Sequence, residues 1–256
     1  MREELILDLL NHFPDVLEDL QENVKGQFVA SLPREALPPV AKHIVKQLGA
    51  RFVINVATDM REKTGDFRVS YVFSFDEEQK FLVLQSAIPA NDLTISSITP
   101  DIPAANWSER EAYDLIGIVP VGHPDPRRLI LPDDFPKNAH PLRREFEYNQ
   151  RFPSEPENAP PKKPAPAGTT VIPIGPFYAT LEEPAYLRLF VDGERVIDSD
   201  YRGFYNHRAV EKLGDSELNY NQICFVAQQI CGICGQVHSC AYCQAVEDAC
   251  GIQVPM

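Results

Sequence analysis

Apolar residues recur at helical spacing at the start of the chain. Leu5, Ile6, Leu9, Leu10 and Phe13 share one face, and Pro14, which has no amide to carry the ladder on, closes the segment. Further along, the period drops to two. Val69, Tyr71, Phe73 and Phe75 alternate with polar or smaller neighbours, the pattern of a strand with one buried face. The runs RFVINVAT, FRVSYVFSF and KFLVLQSAI predict three strands, and VKGQFVASL a fourth before them. Helical patterns return between Pro38 and Leu48, with Gly49 placed to end that helix, and between Asn106 and Leu115, with Gly117 just beyond. The order of elements over residues 1–150 predicts a mixed α+β domain with a mostly antiparallel sheet.

Residues 151–169 break the pattern. RFPSEPENAPPKKPAPAG carries six prolines between Pro153 and Pro166, so it can enter neither a ladder nor a helix interior and reads as an extended linker. From residue 170 to 256 a third region follows. LRLFVDGERVIDSDYR predicts a hairpin turning at Asp192 and Gly193, and helices are expected over Arg208–Leu213, over Asn221–Ile230 and from His238 onward.

The net charge of −13 argues against nucleic acid as a partner, because phosphate binding needs basic patches. No apolar run approaches the ~20 residues of a membrane span. The acidic N-terminal segment lacks the basic and apolar regions of a secretory signal, so a cytoplasmic protein, docked on something larger, is expected. Five of the six cysteines fall between Cys231 and Cys250, and Cys224 lies just upstream. Such clustering points to metal or redox chemistry rather than to a disulfide framework.

Cys231 and Cys234 form a CxxC with glycine after each cysteine, a spacing at which two thiolates can face one ion of Zn, Fe–S or Ni type. His238 stands four residues after Cys234, one helical turn away, as a ligand or a hydrogen-bond donor to sulfur. Cys240 and Cys243 make a second CxxC and share a helical stripe with Cys250. That stripe reads either as small buried hydrophobes or, with Cys231 and Cys234, as a four-thiolate Zn or Fe–S knot. The gap between the pairs is shorter than a zinc ribbon uses and does not match a ferredoxin run. Glu182, Glu183, Glu194 and Glu211 are the acidic candidates for proton relay beside a metal-thiolate centre; the alternative for each is a solvated surface carboxylate.

Two stretches resemble one family of enzymes. SEREAYDLIGI (108–118), GHPDPRRLILPDDF (122–135) and HPLRREF (140–146) resemble the 30-kilodalton, or C, subunit of respiratory complex I. GPFYATLEEPAYLRLFVDGE (175–194), HRAVEKL (207–213) and ICGICGQVH (230–238) resemble the N-terminal part of a [NiFe]-hydrogenase large subunit, of the membrane-bound, complex I-related, formate hydrogenlyase type. The resemblance implies a component of an oxidoreductase that interconverts protons and H2. Its last region would be the small β and helical start of a hydrogenase, or complex I 49-kilodalton-like, domain. Cys231 and Cys234 would ligate nickel, with Cys234 also bridging to iron, and His238 would hydrogen-bond beside them. Glu211 matches the glutamate of an RGxE motif, and Glu183 lies where a proton-relay carboxylate is expected.

Electrons would pass to Fe–S clusters on a small partner subunit, within an assembly held at the cytoplasmic face of the inner membrane. NAD and quinone chemistry belong to the wider complex I kinship. The family's second CxxC lies far downstream, so the chain is expected to hold half of a Ni–Fe site and to be inactive alone. Ala209 stands where RGxE has glycine, Gln229 where an arginine usually precedes the first CxxC, and Tyr178 where GPxH has histidine. Two other readings stay open: a docking module of an NADH:quinone oxidoreductase-like complex with no redox site of its own, and a cysteine-rich Zn or Fe–S module.

Overall fold

A computed structural model describes residues 3–150, 152, 161–177, 184–203, 205–216 and 218–254. Helix α1 (Glu3–His12) is followed by strands β1 (Glu18–Val24) and β2 (Gln27–Ser31), helix α2 (Leu37–Lys46), strand β3 (Arg51–Asp59), the short helix α3 (Arg61–Thr64), and strands β4 (Phe67–Phe75) and β5 (Lys80–Ile88). Five of these strands form one sheet in the order β1-β2-β5-β4-β3. All its pairings are antiparallel except β2 with β5. The fold is therefore the expected α+β with a mostly antiparallel sheet.

The period-two reading of β4 holds: Phe67, Val69, Tyr71, Phe73 and Phe75 are all buried. They meet Leu37, Val40, Ala41 and Ile44 of α2, and Leu9 of α1, in one hydrophobic cluster. The segment VKGQFVASL is not a single strand. Lys25 and Gly26 turn the chain, so that β1 comes back along β2 as a hairpin. β1 (EDLQENV) is polar and mostly exposed, and as the sheet edge it needs no apolar face.

Helix α4 (Asn106–Ile116) follows a short 3-10 turn and the strand β6 (Thr94–Ser96), and leads to β7 (Val119–Val121), which pairs with β6 in parallel. It buries polar side chains that would be costly without partners. Glu109, 2% exposed, accepts from Ser97 Oγ at 2.5 Å, Ile98 N at 2.8 Å and Thr99 Oγ1 at 2.6 Å. Ser108 donates to Asn55 Oδ1 of β3 at 2.5 Å. Arg110 donates to the carbonyls of Arg127 and Arg128 at 2.7 and 2.8 Å. Asp114 Oδ2 accepts the backbone amides of Leu129, Ile130 and Leu131.

The carbonyls at the end of α4 also find donors. Tyr113 O accepts from Gly117 N at 2.9 Å, Asp114 O from His140 Nδ1 at 2.9 Å, Leu115 O from Leu142 N at 3.0 Å and Ile116 O from Arg143 Nε at 2.7 Å. Gly117 makes this possible. Its φ is +89°, and a Cβ there would collide with Arg143 and lie 2.6 Å from His140 Nε2.

Beyond the proline-rich segment, of which residues 161–166 join neither helix nor strand, β8 (Thr170–Ile174), β9 (Tyr186–Asp192) and β10 (Arg195–Arg202) form an antiparallel sheet in the order β10-β9-β8. The predicted hairpin is β9–β10, turning through Gly193 and Glu194. Strand β8 adds an edge that the sequence pattern did not signal; Pro173 within it is tolerated at an edge position. Helices α5 (Val210–Gly214), α6 (Tyr220–Gln228) and α7 (Gly235–Cys250) complete the chain.

Replacing Glu109 by alanine strands at least three buried donors and is expected to cost about 3 kcal/mol of stability. Glu18→Ala on the exposed β1 should stay within roughly 0.5 kcal/mol. Urea denaturation checks both; a Glu109→Ala midpoint equal to that of Glu18→Ala would remove the structural role assigned to this carboxylate.

Candidate metal-thiolate site

Helix α6 starts on a capping box. Asn219 Oδ1 accepts from Gln222 N at 3.1 Å, and Gln222 Oε1 accepts from Asn219 N at 3.0 Å. Its far end is held from outside. Arg208 Nη1 and Nη2 donate to the carbonyls of Gln229 and Ile230 at 2.8 and 2.7 Å, placing a cation where the helix dipole is negative. Cys231 follows directly. The chain then turns through residues 232–234 into α7, which starts at Gly235, earlier than the expected His238. Gly235 is fixed by packing: a Cβ there would lie 2.5 Å from the carbonyl oxygen of Gln228. Gly232, in contrast, faces open space.

This turn brings three expected residues together. The donor atoms of Cys231, Cys234 and His238 all lie within 4.8 Å of one another. Cys234 N–H donates to Cys231 Sγ at 3.1 Å, and His238 Nε2, one turn into α7, is 3.4 Å from Cys234 Sγ. The adjoining Cys231 sulfur, through hydrogen bonding, pushes the Cys234 thiol above its ordinary pKa, with desolvation and the charge of Cys231 adding to the effect. Two thiols this close resist joint ionisation, and a cation between them relieves that conflict.

Cys240, Cys243 and Cys250 lie on α7 and are exposed, so they do not form a buried stripe. Neither Cys240 nor Cys243 joins Cys231 and Cys234 in a metal-sized group among the described residues. Cys243 faces Cys224 of α6 instead; desolvation, and then Cys224, raise its pKa. The two helices are tied by Ser239 Oγ donating to Cys224 O at 2.8 Å and Tyr242 OH to Tyr220 O at 3.1 Å.

Glu211 sits exposed in the first turn of α5, outside the cysteine group. Its charge acts on α4 instead: burial, and then Glu211, raise the pKa of Glu111. Glu194 is an exposed turn residue of the β9–β10 hairpin. Glu182, Glu183 and Tyr178 lie outside the described residues.

Two side chains that carry the site's position were not among the expected functional residues. Arg208 is one. Lys212, 4% exposed, is the other, and its Nζ donates to the carbonyls of Arg143 and Arg144 at 2.9 and 3.4 Å. The same segment that caps α4 therefore anchors α5, and α5 is preceded by the arginine that grips α6. Both cations belong to the HRAVEKL motif, which is the signal that could have pointed to them. Ala209 between them has φ +55° and ψ +36°, in the left-handed region, at the position where the resembling motif has glycine.

Residues 30–152 match the family described as "Respiratory-chain NADH dehydrogenase, 30 Kd subunit". Hydrogenase-4 component G of Escherichia coli (strain K12) is 38% identical over 99% of this chain and 46% of its own length. Formate hydrogenlyase subunit 5 of the same organism is 40% identical over 95% of this chain and 44% of its own length. The chain is thus similar over nearly all of its length to these two proteins, and over residues 30–152 to the 30 Kd subunit family. It spans less than half the length of these relatives. The fold is also similar to a chain of the membrane-bound sulfane sulfur reductase, an archaeal respiratory membrane complex, with a TM-score of 0.50 at 17% identity over 57% of this chain and 85% of that one. No described helix is long and apolar enough to cross a membrane.

Relieving the left-handed alanine by Ala209→Gly should raise stability by roughly 1 kcal/mol, less the added freedom of the unfolded glycine, and shift thermal melting upward by a few degrees. Burial lowers the pKa of both His140 and His207 below 6.5. The unfolded chain thus takes up protons that the folded one refuses, and stability should fall as pH drops below about 6.5. Replacing both histidines by glutamine should flatten that slope in denaturation curves recorded above the carboxylate range.

Proposed function

We propose that this chain is the part of a complex I-related [NiFe]-hydrogenase large subunit that carries the first pair of nickel thiolates and the domain that docks it to its complex. The observation that carries this reading is the convergence of Cys231, Cys234 and His238 on a turn clamped by Arg208. The donor set fits half of a four-thiolate nickel site: two sulfurs at chelating spacing and an imidazole whose Nε2 can donate to Cys234. Among the described residues no further ligating side chain joins this group.

In this reading Cys231 and Cys234 would hold the metal centre and His238 would orient the Cys234 sulfur. When bound, the Ni–Fe centre supplies the redox chemistry by which two protons and two electrons become H2. Glu211 and Glu183 would be the carboxylates that pass protons toward the site, as the resemblance implies, with Glu211 doing so from outside the cysteine group. Electrons would come from Fe–S clusters of a small partner subunit, in an assembly held at the cytoplasmic face of the inner membrane. Ile233 and Val237, next to the cysteines in the chain, and Phe225 of α6 are 80%, 67% and 68% accessible, as apolar side chains that pack against further polypeptide of the complex would be.

The match of residues 30–152 to the 30 Kd subunit family also favours a second reading, a docking module of an NADH:quinone oxidoreductase-like assembly. The intact complex separates the two. Cys231→Ala and Cys234→Ala should each lower nickel content and H2 evolution by more than about tenfold while the complex still assembles, and Cys240→Ser should retain both. Full nickel and full H2 evolution with Cys231→Ala would sink the hydrogenase reading and leave the docking one.

A further inference from the structure

A second group of metal-ligating side chains lies far along the sequence from the cysteines, where α1 crosses α2. Asp8 and His12 are one turn apart on α1 and project from the same face. His43, in the last turn of α2, meets them. Its Nε2 is 2.7 Å from Asp8 Oδ1, His12 Nδ1 is 3.4 Å from the same oxygen, and the three donor atoms are mutually within 4.8 Å. The His12 and His43 rings are 4.3 Å apart between centroids, and Phe13 packs edge-on against His43 at 5.4 Å, limiting how that ring can turn. The His43 side chain is 12% exposed, Asp8 37% and His12 55%, so the group is reachable from solvent while His43 is largely covered.

We propose that Asp8, His12 and His43 bind a divalent transition-metal ion of the Zn2+ type, with water completing the coordination. A tetrahedral ion with ligands at about 2.0–2.1 Å holds its donor atoms roughly 3.3 Å apart. His12 and Asp8 already stand near that spacing, and His43 needs to withdraw from Asp8 by only about 0.6 Å to reach it. Two imidazoles and one carboxylate are a borderline donor set that suits Zn2+ and its neighbours, whereas Mg2+ and Ca2+ call for oxygen ligands throughout. His12 Nδ1 is also 3.1 Å from Asp8 O; binding replaces that contact with the ion and moves the ring proton to Nε2.

The consequence is a staple. Helix α1 precedes the family-matched residues 30–152, and among its described side chains only Leu9 is fully buried. An ion shared between α1 and α2 would fix α1 on the domain and make its docking depend on metal supply.

The test uses the full chain carrying Cys231→Ser and Cys234→Ser, which removes the thiolate pair, and Co2+ as a spectroscopic probe. The expected result is one Co2+ per chain with the d–d bands of a tetrahedral nitrogen and oxygen site, no thiolate charge-transfer band, and displacement by Zn2+. His12→Ala, at an exposed position that should leave folding intact, is expected to weaken binding by at least about tenfold, and His43→Gln likewise. Zn2+ should also raise the melting temperature of this chain, an effect lost with His12→Ala. Absence of Co2+ uptake, a thiolate-only spectrum, or unchanged affinity in both histidine variants would overturn the proposal.

Discussion

The carbonyls at the end of a buried helix must find donors, and in this protein that requirement organises more than the helix itself. The segment 140–143 supplies donors to α4 in turn, from His140, Leu142 and Arg143. Once drawn in, the segment offers its own carbonyls outward, and Lys212 occupies them. Asp59 joins from the sheet, accepting Arg144 N at 3.1 Å and pairing with Arg61, whose guanidinium holds the Asp59 carboxyl well below the usual range. The cysteine-bearing helices thus reach the five-stranded sheet through a short series of hydrogen bonds, most of them ending on main-chain oxygen.

This arrangement explains the polar character of SEREAYDLIGI. Ser108, Glu109, Arg110 and Asp114 are a polar core, each holding a neighbouring strand or loop. A helix that buries such groups is stable only when every partner is present. The motif is tied to GHPDPRRLILPDDF through Arg110 and Asp114 and to HPLRREF through its last carbonyls, while Ser108 and Glu109 hold β3 and the segment 97–99.

Much of the fold was legible where burial imposes a period. Strands β4 and β5, the helical face of α2 and the glycine ends of helices announce themselves because one face meets the core. Strand β1 did not, since a charged edge has no alternation to read, and β8 did not, since its proline and valines carry no pattern over so short a span. At the candidate site, the spacing of Cys231, Cys234 and His238 was sufficient to foresee that they would meet, because one turn of chain and one turn of helix leave few alternatives. Arg208 and Lys212 were not foreseen. Their partners are backbone carbonyls of segments distant in sequence, and a carbonyl has no letter in the sequence to be read.

That last property reaches beyond prediction. A grip on main-chain oxygen is indifferent to which side chains the gripped segment carries. Gln229 stands where the resemblance leads one to expect arginine, and Arg208 still finds its oxygen. The turn that bears the cysteines is thereby uncoupled from mutational drift in its immediate neighbours. The geometry of the thiolate pair can persist while the surrounding surface is rewritten to suit a different partner.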